Sequence, residues 1–430
     1  PIIIFMRLYI EPDRKTWAGL CVRPDTGAKE IDTKVRQIVR KVKTGGDKAL
    51  KSISEEIDGY PLGEMKVSQE EISAAASQVP RELRNAIITA RSNIEIFTNA
   101  QMTGRIEVQT MPGVRCWQRS VPIAKVGLYI PGGTAPLFSS VLMLAIPAKI
   151  AGCGRVTICT PRGKDGSISP AILYAASLCG VTDIYGIGGA QAIAAMAYGT
   201  KTIPKVDKIF GPGNRYVSKA KRVISEDGVA VDMFAGPTEL LIIADDSARA
   251  DFLAADLLSQ AEHGKDSQVC LVCDSQKLLE EVNKELKIQI ERIPRKEIAE
   301  AALAESLAII IKDKDTMLDF ANTYAPEHLI INTNDAWALA GAITAAGNVF
   351  IGPYSPESAG DYASGTNHTL PTAGTATTVS GVGLESFMHK ITYQELTKDG
   401  LDSLAPTIMD MAKAEGLIAH ANSVAIRVQE

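Results

Sequence analysis

Histidine is the residue type in this sequence best suited to acid–base and metal chemistry, and the 430 residues contain only five. His263 ends a predicted helix in which Gln260 lies three residues earlier on the same face, so both side chains can reach one ligand. His328 directly follows Glu327, and an adjacent carboxylate and imidazole suit paired acid–base work. The alternatives are a helix-end histidine that only meets backbone carbonyls and an exposed Glu-His pair without function. Spacing alone leaves both alternatives open.

Other polar residues lie in segments with weaker signals. Asp361 lies in a Gly- and Ser-rich loop, where aspartate usually caps a turn. His420 follows Glu415 by five residues on a predicted helical tail, where a solvated helix face is the simpler interpretation. No pair of histidines has the H-E-x-x-H spacing of a zinc site. These residues alone indicate a nucleotide-binding α/β enzyme, with or without a metal.

Four glycine-containing turns follow predicted strands, at residues 131–136, 186–192, 211–214 and 235–238. In doubly wound sheets, ligands bind at the carboxyl ends of strands, so these turns are where we expect a ligand. Backbone N–H groups and helix N-termini at such turns can meet an anion. None of the turns has the full G-x-G-x-x-G pattern, and each taken singly is equally well a tight βα turn. Four together favour a dinucleotide or another phosphate-bearing ligand.

The elements that must position these residues are helices and strands in alternation. Residues 29–101 carry apolar residues at three- and four-residue spacing, which is typical of helices. Short apolar strands then alternate with helices from residue 126 to 233, and the alternation begins again from 239 to 352. This pattern predicts parallel sheets covered on both faces. The predicted fold class is therefore α/β, with two doubly wound, Rossmann-like parallel-sheet domains, an N-terminal helical segment and a C-terminal helical tail.

Composition excludes several classes of protein. Lys and Arg number 45 against 50 Asp and Glu, and no block of like charge stands out, so nucleic acid is not an expected partner. No apolar run approaches the ~20 residues of a membrane helix, so a membrane is not expected either. The seven cysteines are an odd number spread through a long chain, which fits a reducing compartment. Cys270 and Cys273 lie in an apolar run that predicts a buried strand rather than a zinc knuckle.

Seven segments, in chain order, resemble the histidinol dehydrogenase family, and the resemblance runs over nearly the whole chain from about residue 28. They are VGLYIPGG at 126–133, GGAQAIAA at 188–195, GPGNRYV at 211–217, AGPTE at 235–239, LLSQAEHG at 257–264, APEHL at 325–329 and GDYASGTNHTLP at 360–371. The resemblance implies an NAD-dependent oxidation of L-histidinol to L-histidine in two steps via L-histidinal, the final step of histidine biosynthesis. It also implies a zinc-containing homodimer whose subunits interlock.

The resemblance further implies a role for individual residues. It makes Glu327 and His328 the catalytic acid–base pair. Its implied ligands of one Zn²⁺ per subunit are Gln260, His263, Asp361 and His420. Its implied substrate contacts are Thr238, Gln260, His263, His328, Asp361, Glu415 and His420, and its NAD contacts are Tyr129, Gln191 and Asn214. The family commonly has serine where Thr238 stands, and the hydroxyl is kept.

Taken with the resemblance, the alternation of elements divides the chain into four parts. Residues 1–28 are an N-terminal arm outside the resemblance. Residues 29–125 and 238–381 are expected to form a first α/β domain that carries most metal and catalytic residues, and 126–237 a second one with the NAD-contacting turns. Residues 382–430 are expected to be a tail exchanged within the dimer.

Two rival functions stand beside this expectation. One is a related zinc- and NAD-dependent dehydrogenase of another small alcohol, such as a sulfonated diol. The presence of both Glu415 and His420 favours histidinol over that rival. The other is a non-catalytic nucleotide-binding protein, which would be expected to have lost a ligand or base, and none is missing. The expected location is the cytoplasm, or a plastid stroma if a transit peptide has been removed.

Overall fold

The computed structural model describes residues 5–23, 28–58, 62–132, 136–234 and 236–429. The N-terminal part contains one short strand followed by helices. These are β1 Arg7–Ile10, α1 Trp17–Leu20, α2 Ala28–Asp58, α3 Gln69–Gln78 and α4 Arg81–Ala100. Helix α2 is interrupted at Gly46, whose φ of 53° only glycine adopts readily.

The first alternating region forms a five-stranded parallel sheet in the order β6-β5-β4-β7-β8. Its strands are β4 Lys125–Tyr129, β5 Arg155–Thr160, β6 Asp183–Gly186, β7 Lys208–Phe210 and β8 Ala230–Val231. Its helices are α5 Phe138–Ala151, α6 Pro170–Leu178, α7 Gly189–Tyr198 and α8 Arg215–Glu226. Helices α5 and α6 cover one face and α7 and α8 the other, so the strands are almost wholly buried. This burial on both faces explains the continuous apolar runs in the sequence.

The second alternating region forms a six-stranded parallel sheet in the order β1-β11-β10-β9-β12-β13. Its further strands are β9 Glu239–Ala244, β10 Gln268–Cys273, β11 Leu307–Ile310, β12 His328–Asn332 and β13 Asn348–Ile351. Its helices are α9 Ala250–Ala261, α10 Gln276–Gln289, α11 Lys296–Ala304, α12 Lys314–Tyr324, α13 Ala336–Ala340 and α14 Glu357–Tyr362. Cys270 and Cys273 are fully buried and unbridged in β10, as predicted. The two parallel sheets confirm the predicted fold class.

Two features differ from the expectations. Strand β1 of the N-terminal arm joins the six-stranded sheet beside β11. Helices α2, α3 and α4 pack on the helices of the five-stranded sheet, which differs from the expected grouping of 29–125 with 238–381.

The C-terminal tail begins with a strand rather than a helix. Strands β2 Ile106–Met111 and β3 Val114–Pro122 form an antiparallel sheet with β14 Met388–Leu396, and helices α15 Lys398–Ala414 and α16 Ile418–Val428 follow. Ile391, Thr392 and Tyr393, of types that favour strands, lie in the middle of β14, and Tyr393 stacks on Trp117 of β3 with ring centroids 5.2 Å apart. Among the described residues, no helix combines the length and apolarity needed to cross a bilayer.

Polar contacts join the carboxyl edge of the five-stranded sheet to the amino edge of the six-stranded sheet. Arg215, at the start of α8, forms an ion pair of 3.1 Å with Asp266, just before β10. The Asn367 side chain donates to the Met143 carbonyl in α5 at 2.7 Å, while Asn348 at the start of β13 donates to the Asn367 carbonyl at 3.1 Å. The two edges therefore adjoin each other.

Candidate active site

The Glu327–His328 pair lies at the amino edge of the six-stranded sheet, where β9 and β12 start side by side. The Thr238 hydroxyl donates to Glu327 Oε2 at 2.6 Å, and the Glu239 N–H donates to the same oxygen at 3.0 Å. These two bonds fix the carboxyl group of Glu327. The pair therefore lies at the amino ends of these strands, whereas ligands of doubly wound sheets usually bind at the carboxyl ends.

His328 is buried between two carboxyl groups. Its side chain is 3% exposed, and Nε2 lies 3.8 Å from Glu327 Oε1 and 3.7 Å from Glu357 Oε1. Burial, together with the nearby His368 and His263, lowers the His328 pKa to about 3. The imidazole is therefore neutral at ordinary pH, and two carboxyl groups lie beside its Nε2.

The carboxyl group of Glu327 has a raised proton affinity. Burial raises its pKa well above the usual range and outweighs the opposing bonds from Thr238 and the Glu239 N–H. The neighbouring Glu239 and Asp361 carboxyls raise the pKa further. A cation bound nearby would act in the opposite direction and favour the carboxylate.

A group of side chains that can hold a metal lies beside this pair. Gln260, in the last turn of α9, and His263, just beyond it, face Glu357 and Asp361 on α14. The ligand atoms of His263, Glu357 and Asp361 all lie within 4.8 Å of one another. Burial raises the Asp361 pKa to about 7, and burial also raises that of Glu357 together with the charges of Asp361 and Glu327. Such crowded carboxyl groups are stabilised by a bound cation.

The buried amide of Gln260 provides a test of whether a metal fits. Its Nε2 donates to Thr238 Oγ1 at 2.5 Å, which leaves Oε1 2.5 Å from Glu357 Oε1. Swapping the amide would let the nitrogen donate to Glu357, but Thr238 would then have to donate to both Gln260 and Glu327 with one proton. The unswapped amide satisfies Thr238 and needs a cation or a proton between the two oxygens. A mixed set of imidazole, amide and carboxylate donors is one that Zn²⁺ accepts.

Glu357 and His368 are residues of this site that the sequence analysis did not single out. Glu357 is 2% exposed and lies one helical turn before Asp361, on the same face of α14. Its signal was the four-residue spacing of the two acids, hidden in a stretch that we interpreted as a loop. His368 lies 3.4 Å from the Ser140 hydroxyl, and burial lowers its pKa to about 4.

Glu415 and His420 do not join this group within one chain. Both are exposed, Glu415 at the end of α15 and His420 in α16. The metal-capable group found among the described residues contains His263, Glu357 and Asp361 and excludes His420. Three of the four predicted zinc ligands, Gln260, His263 and Asp361, are therefore assembled by the single chain.

The three predicted NAD contacts lie together at the carboxyl edge of the five-stranded sheet. The Tyr129 hydroxyl, at the end of β4, accepts from the Gly189 N–H at 3.0 Å. Gln191, two residues after Gly189 in α7, is buried, and its side chain lies against Gly189. Asn214 caps α8, accepting from Tyr216 and Val217 N–H groups at 3.0 and 3.1 Å.

These contacts surround the point where the order of strands reverses, between β4 and β7. Gly211, directly after β7, has φ of 123°, and a Cβ there would collide with the Tyr129 carbonyl. The close approach brings the turn at 211–214 against β4. The turn at 186–192 lies at the same edge. The turns at 131–136 and 235–238 lie partly outside the described residues. The two helix N-termini at this edge, of α7 and α8, suit the phosphates of a dinucleotide.

A two-sheet α/β fold with a buried Glu–His pair beside a metal-capable group is the arrangement of an enzyme. Comparison with known proteins gives its family. Residues 21–428 match the family model described as histidinol dehydrogenase. The histidinol dehydrogenase of Bacteroides fragilis (strain YCH46) is 53% identical over 425 residues, covering 99% of each chain. That of Escherichia coli (strain K12) is 52% identical over 412 residues, or 95% of this chain and 94% of the other.

A solved structure shows the same relation. The crystal structure of histidinol dehydrogenase from Elizabethkingia anophelis superposes with a TM-score of 0.96 at 48% identity, covering 99% of this chain and 98% of the other. The chain belongs to the histidinol dehydrogenase family. It is therefore an oxidoreductase of histidine biosynthesis.

Proposed function

We propose that this enzyme oxidises L-histidinol to L-histidine through L-histidinal, with two NAD reduced for each histidine formed. The observation that carries the proposal is the Glu327–His328 pair, held at the amino edge of the six-stranded sheet beside the metal-capable group. A four-electron oxidation of an alcohol to an acid needs a base for the hydroxyl proton and a base for the water that hydrates the aldehyde. Two adjacent bases meet both needs.

NAD binds at the carboxyl edge of the five-stranded sheet, where Tyr129, Gln191 and Asn214 meet, and it supplies the hydride acceptor. The Arg215–Asp266 ion pair supports this arrangement, because it ties the start of α8 to the segment after His263. The nucleotide edge thus adjoins the edge that carries the acid–base pair, as a reaction between NAD and a substrate at that pair requires.

Zn²⁺ would be held by Gln260, His263 and Asp361, with His420 supplied by a second copy of the chain, and would bind and orient the substrate's nitrogen atoms. His328 accepts the hydroxyl proton on Nε2, where the Glu327 and Glu357 carboxyls stabilise the charge. Glu327 then removes a proton from the water that adds to the aldehyde. Thr238 and the Glu239 N–H hold Glu327 in place through both steps.

The active form is a homodimer in which Glu415 and His420 of one chain complete the site of the other. Exposed apolar side chains on the tail and on the antiparallel sheet support this assembly, because clusters of exposed apolar side chains mark surfaces that bind another protein. They include Met411, Leu417, Ile418 and Ile426 on the tail, and Ile106 and Val108 on β2. An isologous contact that covers them closes as a two-fold dimer.

The direct test is NADH formation from purified protein with L-histidinol. We expect two NADH for each histidine formed, measured by absorbance and by amino-acid analysis of the product. Turnover of a sulfonated diol and none of histidinol would favour the related dehydrogenase. No turnover of any small alcohol by protein with zinc bound would favour a non-catalytic role.

Zinc is expected to be needed for turnover but not for folding, because three of its four proposed ligands, Gln260, His263 and Asp361, are held by α9, the residues after it and α14, which pack on the six-stranded sheet without a metal. Chelation should abolish activity and leave far-UV circular dichroism unchanged. Added zinc should raise the melting temperature more at about pH 8 than at about pH 5.5. Global unfolding on chelation would show instead that the metal is structural.

The pH dependence follows from the raised Asp361 pKa of about 7. A carboxyl pKa above its unfolded value means that the metal-free fold loses stability as the pH rises toward 7, whereas below that pH protons compete with zinc. Asp361→Asn should remove most of the zinc-induced shift, and Asp319→Asn, at an exposed position on α12, should leave it intact. An equal shift at both pH values in the wild type would exclude Asp361 as a ligand.

A further inference from the structure

We infer that Arg23, in the N-terminal arm, is a positioning residue that holds Glu327 and His328 in their reactive arrangement. The inference rests on the proposed function, because it assigns Arg23 a role in that same reaction. Arg23 contacts the start of β9, which hydrogen-bonds Glu327, and the end of α12, which precedes Glu327 in the chain. Its own hydrogen bonds are made to these two segments and to the Cys21 carbonyl rather than to Glu327 or His328.

The first contact is a buried, bidentate ion pair with Glu239. Arg23 Nε lies 2.6 Å from Glu239 Oε2 and Nη2 lies 2.9 Å from Oε1, with the side chains 11% and 1% exposed. Two parallel bonds to a planar guanidinium fix the orientation of the carboxylate as well as its position. The ion pair therefore fixes the first residue of β9.

That residue carries the bond to Glu327. The Glu239 N–H donates to Glu327 Oε2, and the preceding residue, Thr238, donates its hydroxyl to the same oxygen. A small movement of the start of β9 changes both bonds together. The position of the Glu327 carboxyl thus depends on the pair formed by Arg23 and Glu239.

The second contact is with Tyr324 at the end of α12, three residues before Glu327 in the chain. Arg23 Nη2 donates to the Tyr324 carbonyl at 2.7 Å, and the guanidinium carbon lies 3.6 Å above the Tyr324 ring. This carbonyl ends α12 and is followed by Ala325, which has a left-handed conformation at φ 49°. Alanine keeps that conformation only where the surroundings hold it. Through this turn the chain reaches Glu327 and His328.

Another arginine of the arm shows the contrast. Arg7 forms an ion pair with Glu305 at 3.1 Å, but both side chains are about half exposed and neither meets the Glu327 segment. Arg23, in contrast, uses all three guanidinium nitrogens, the last on the Cys21 carbonyl at 2.5 Å. Only Arg23 of these two joins the arm to both segments beside the acid–base pair.

The test compares Arg23→Lys with Arg7→Lys. Lysine keeps the positive charge but cannot make the two parallel hydrogen bonds to Glu239. Arg23→Lys should therefore lower kcat at least about tenfold, because a displacement of about 1 Å can slow a reaction by up to about a hundredfold. KM for NAD should stay within about twofold, and zinc content should not change, because Arg23 contacts neither the nucleotide edge nor the proposed zinc ligands. Arg7→Lys should match the wild type in all three measurements.

A second variant separates positioning from stability. Arg23→Gln combined with Glu239→Gln leaves no unpaired buried charge, so the protein should fold, yet its kcat should stay as low as that of Arg23→Lys. Wild-type kcat in this double variant, with a normal melting temperature, would overturn the inference. So would a KM for NAD that rises as much as kcat falls, because this would indicate a general loosening of the fold.

Crystal structures separate this inference from the proposed function. In Arg23→Lys we expect the Ala325 turn to relax and Glu327 to lose its bond from the Glu239 N–H. A wild-type protein inactive on histidinol would refute the proposed function. The inference about Arg23 would then be judged only by whether Glu327 moves in the structure of Arg23→Lys. An unchanged position of Glu327 in that variant would overturn the inference.

Discussion

Replacing His328 by glutamine is expected to lower kcat for L-histidinol by about 10²–10⁴-fold, the usual contribution of a general base. Glutamine keeps much of the volume and polarity of the buried imidazole but cannot accept the hydroxyl proton. KM for NAD should not change, because Tyr129, Gln191 and Asn214 lie on the other sheet. Steady-state NADH formation with saturating NAD measures the loss.

Glu327→Gln should fail at a different step. With histidinal as the substrate the loss should be about 10²-fold or more, because the hydrating water then lacks its base. The first hydride transfer should be less affected, since His328 remains. Glutamine can still accept the bonds from Thr238 and the Glu239 N–H, so the pocket keeps its geometry. Single-turnover experiments with histidinol and with histidinal distinguish the two steps.

His389→Gln is the matched control, because His389 is exposed on β14, and it should behave as the wild type. The wild-type rate should also show no loss from protonation of free His328 between about pH 8 and 6, because a pKa lowered to about 3 keeps the imidazole neutral there. If His328→Gln and Glu327→Gln slow both substrates equally, the division of labour between the two residues is wrong.

The sequence predicts the framework of this fold well because its strands are buried on both faces. The three central strands of the six-stranded sheet, β9, β10 and β12, have the bounds that their apolar runs predict. The run at 388–396 is different. Most side chains of β14 are exposed, so no apolar run or alternation marks the strand and we predicted a helix.

The candidate site divides in the same way. Gln260 and His263 could be paired from the sequence because their spacing on one helix is local. Glu357 was missed because α14 is short and lies in a stretch rich in Gly, Ser and Pro. Arg23 could not be placed at all. Its partner Glu239 is 216 residues away, and nothing local in the sequence marks either residue as half of a pair.

The two sheets present their candidate residues at opposite edges. The predicted NAD contacts lie at the carboxyl ends of the five-stranded sheet, beside the reversal between β4 and β7, as is usual for ligands of doubly wound folds. In the six-stranded sheet the Glu327–His328 pair lies at the amino ends instead. The two observations agree because the carboxyl edge of one sheet adjoins the amino edge of the other.

Mixing two inactive variants is expected to restore activity. His263→Ala and His420→Ala should each be inactive as homodimers, because each removes an imidazole from the proposed zinc site. If the tail acts in the partner's site, a mixed dimer has one site with both lesions and one with neither. Random exchange makes half of the dimers mixed, so activity should return to about a quarter of the wild-type value.

The structural reason is that His420 is exposed on α16 and lies outside the group of His263, Glu357 and Asp361 in its own chain. The matched control mixes His263→Ala with Asp361→Ala. Both residues belong to the group assembled by one chain, so every site of that mixed dimer carries a lesion and no activity should return. Exchange is verified by native mass spectrometry of differently tagged subunits. If exchange is complete and His263→Ala with His420→Ala stays as inactive as the control, the tail acts within its own chain and the shared-site dimer is wrong.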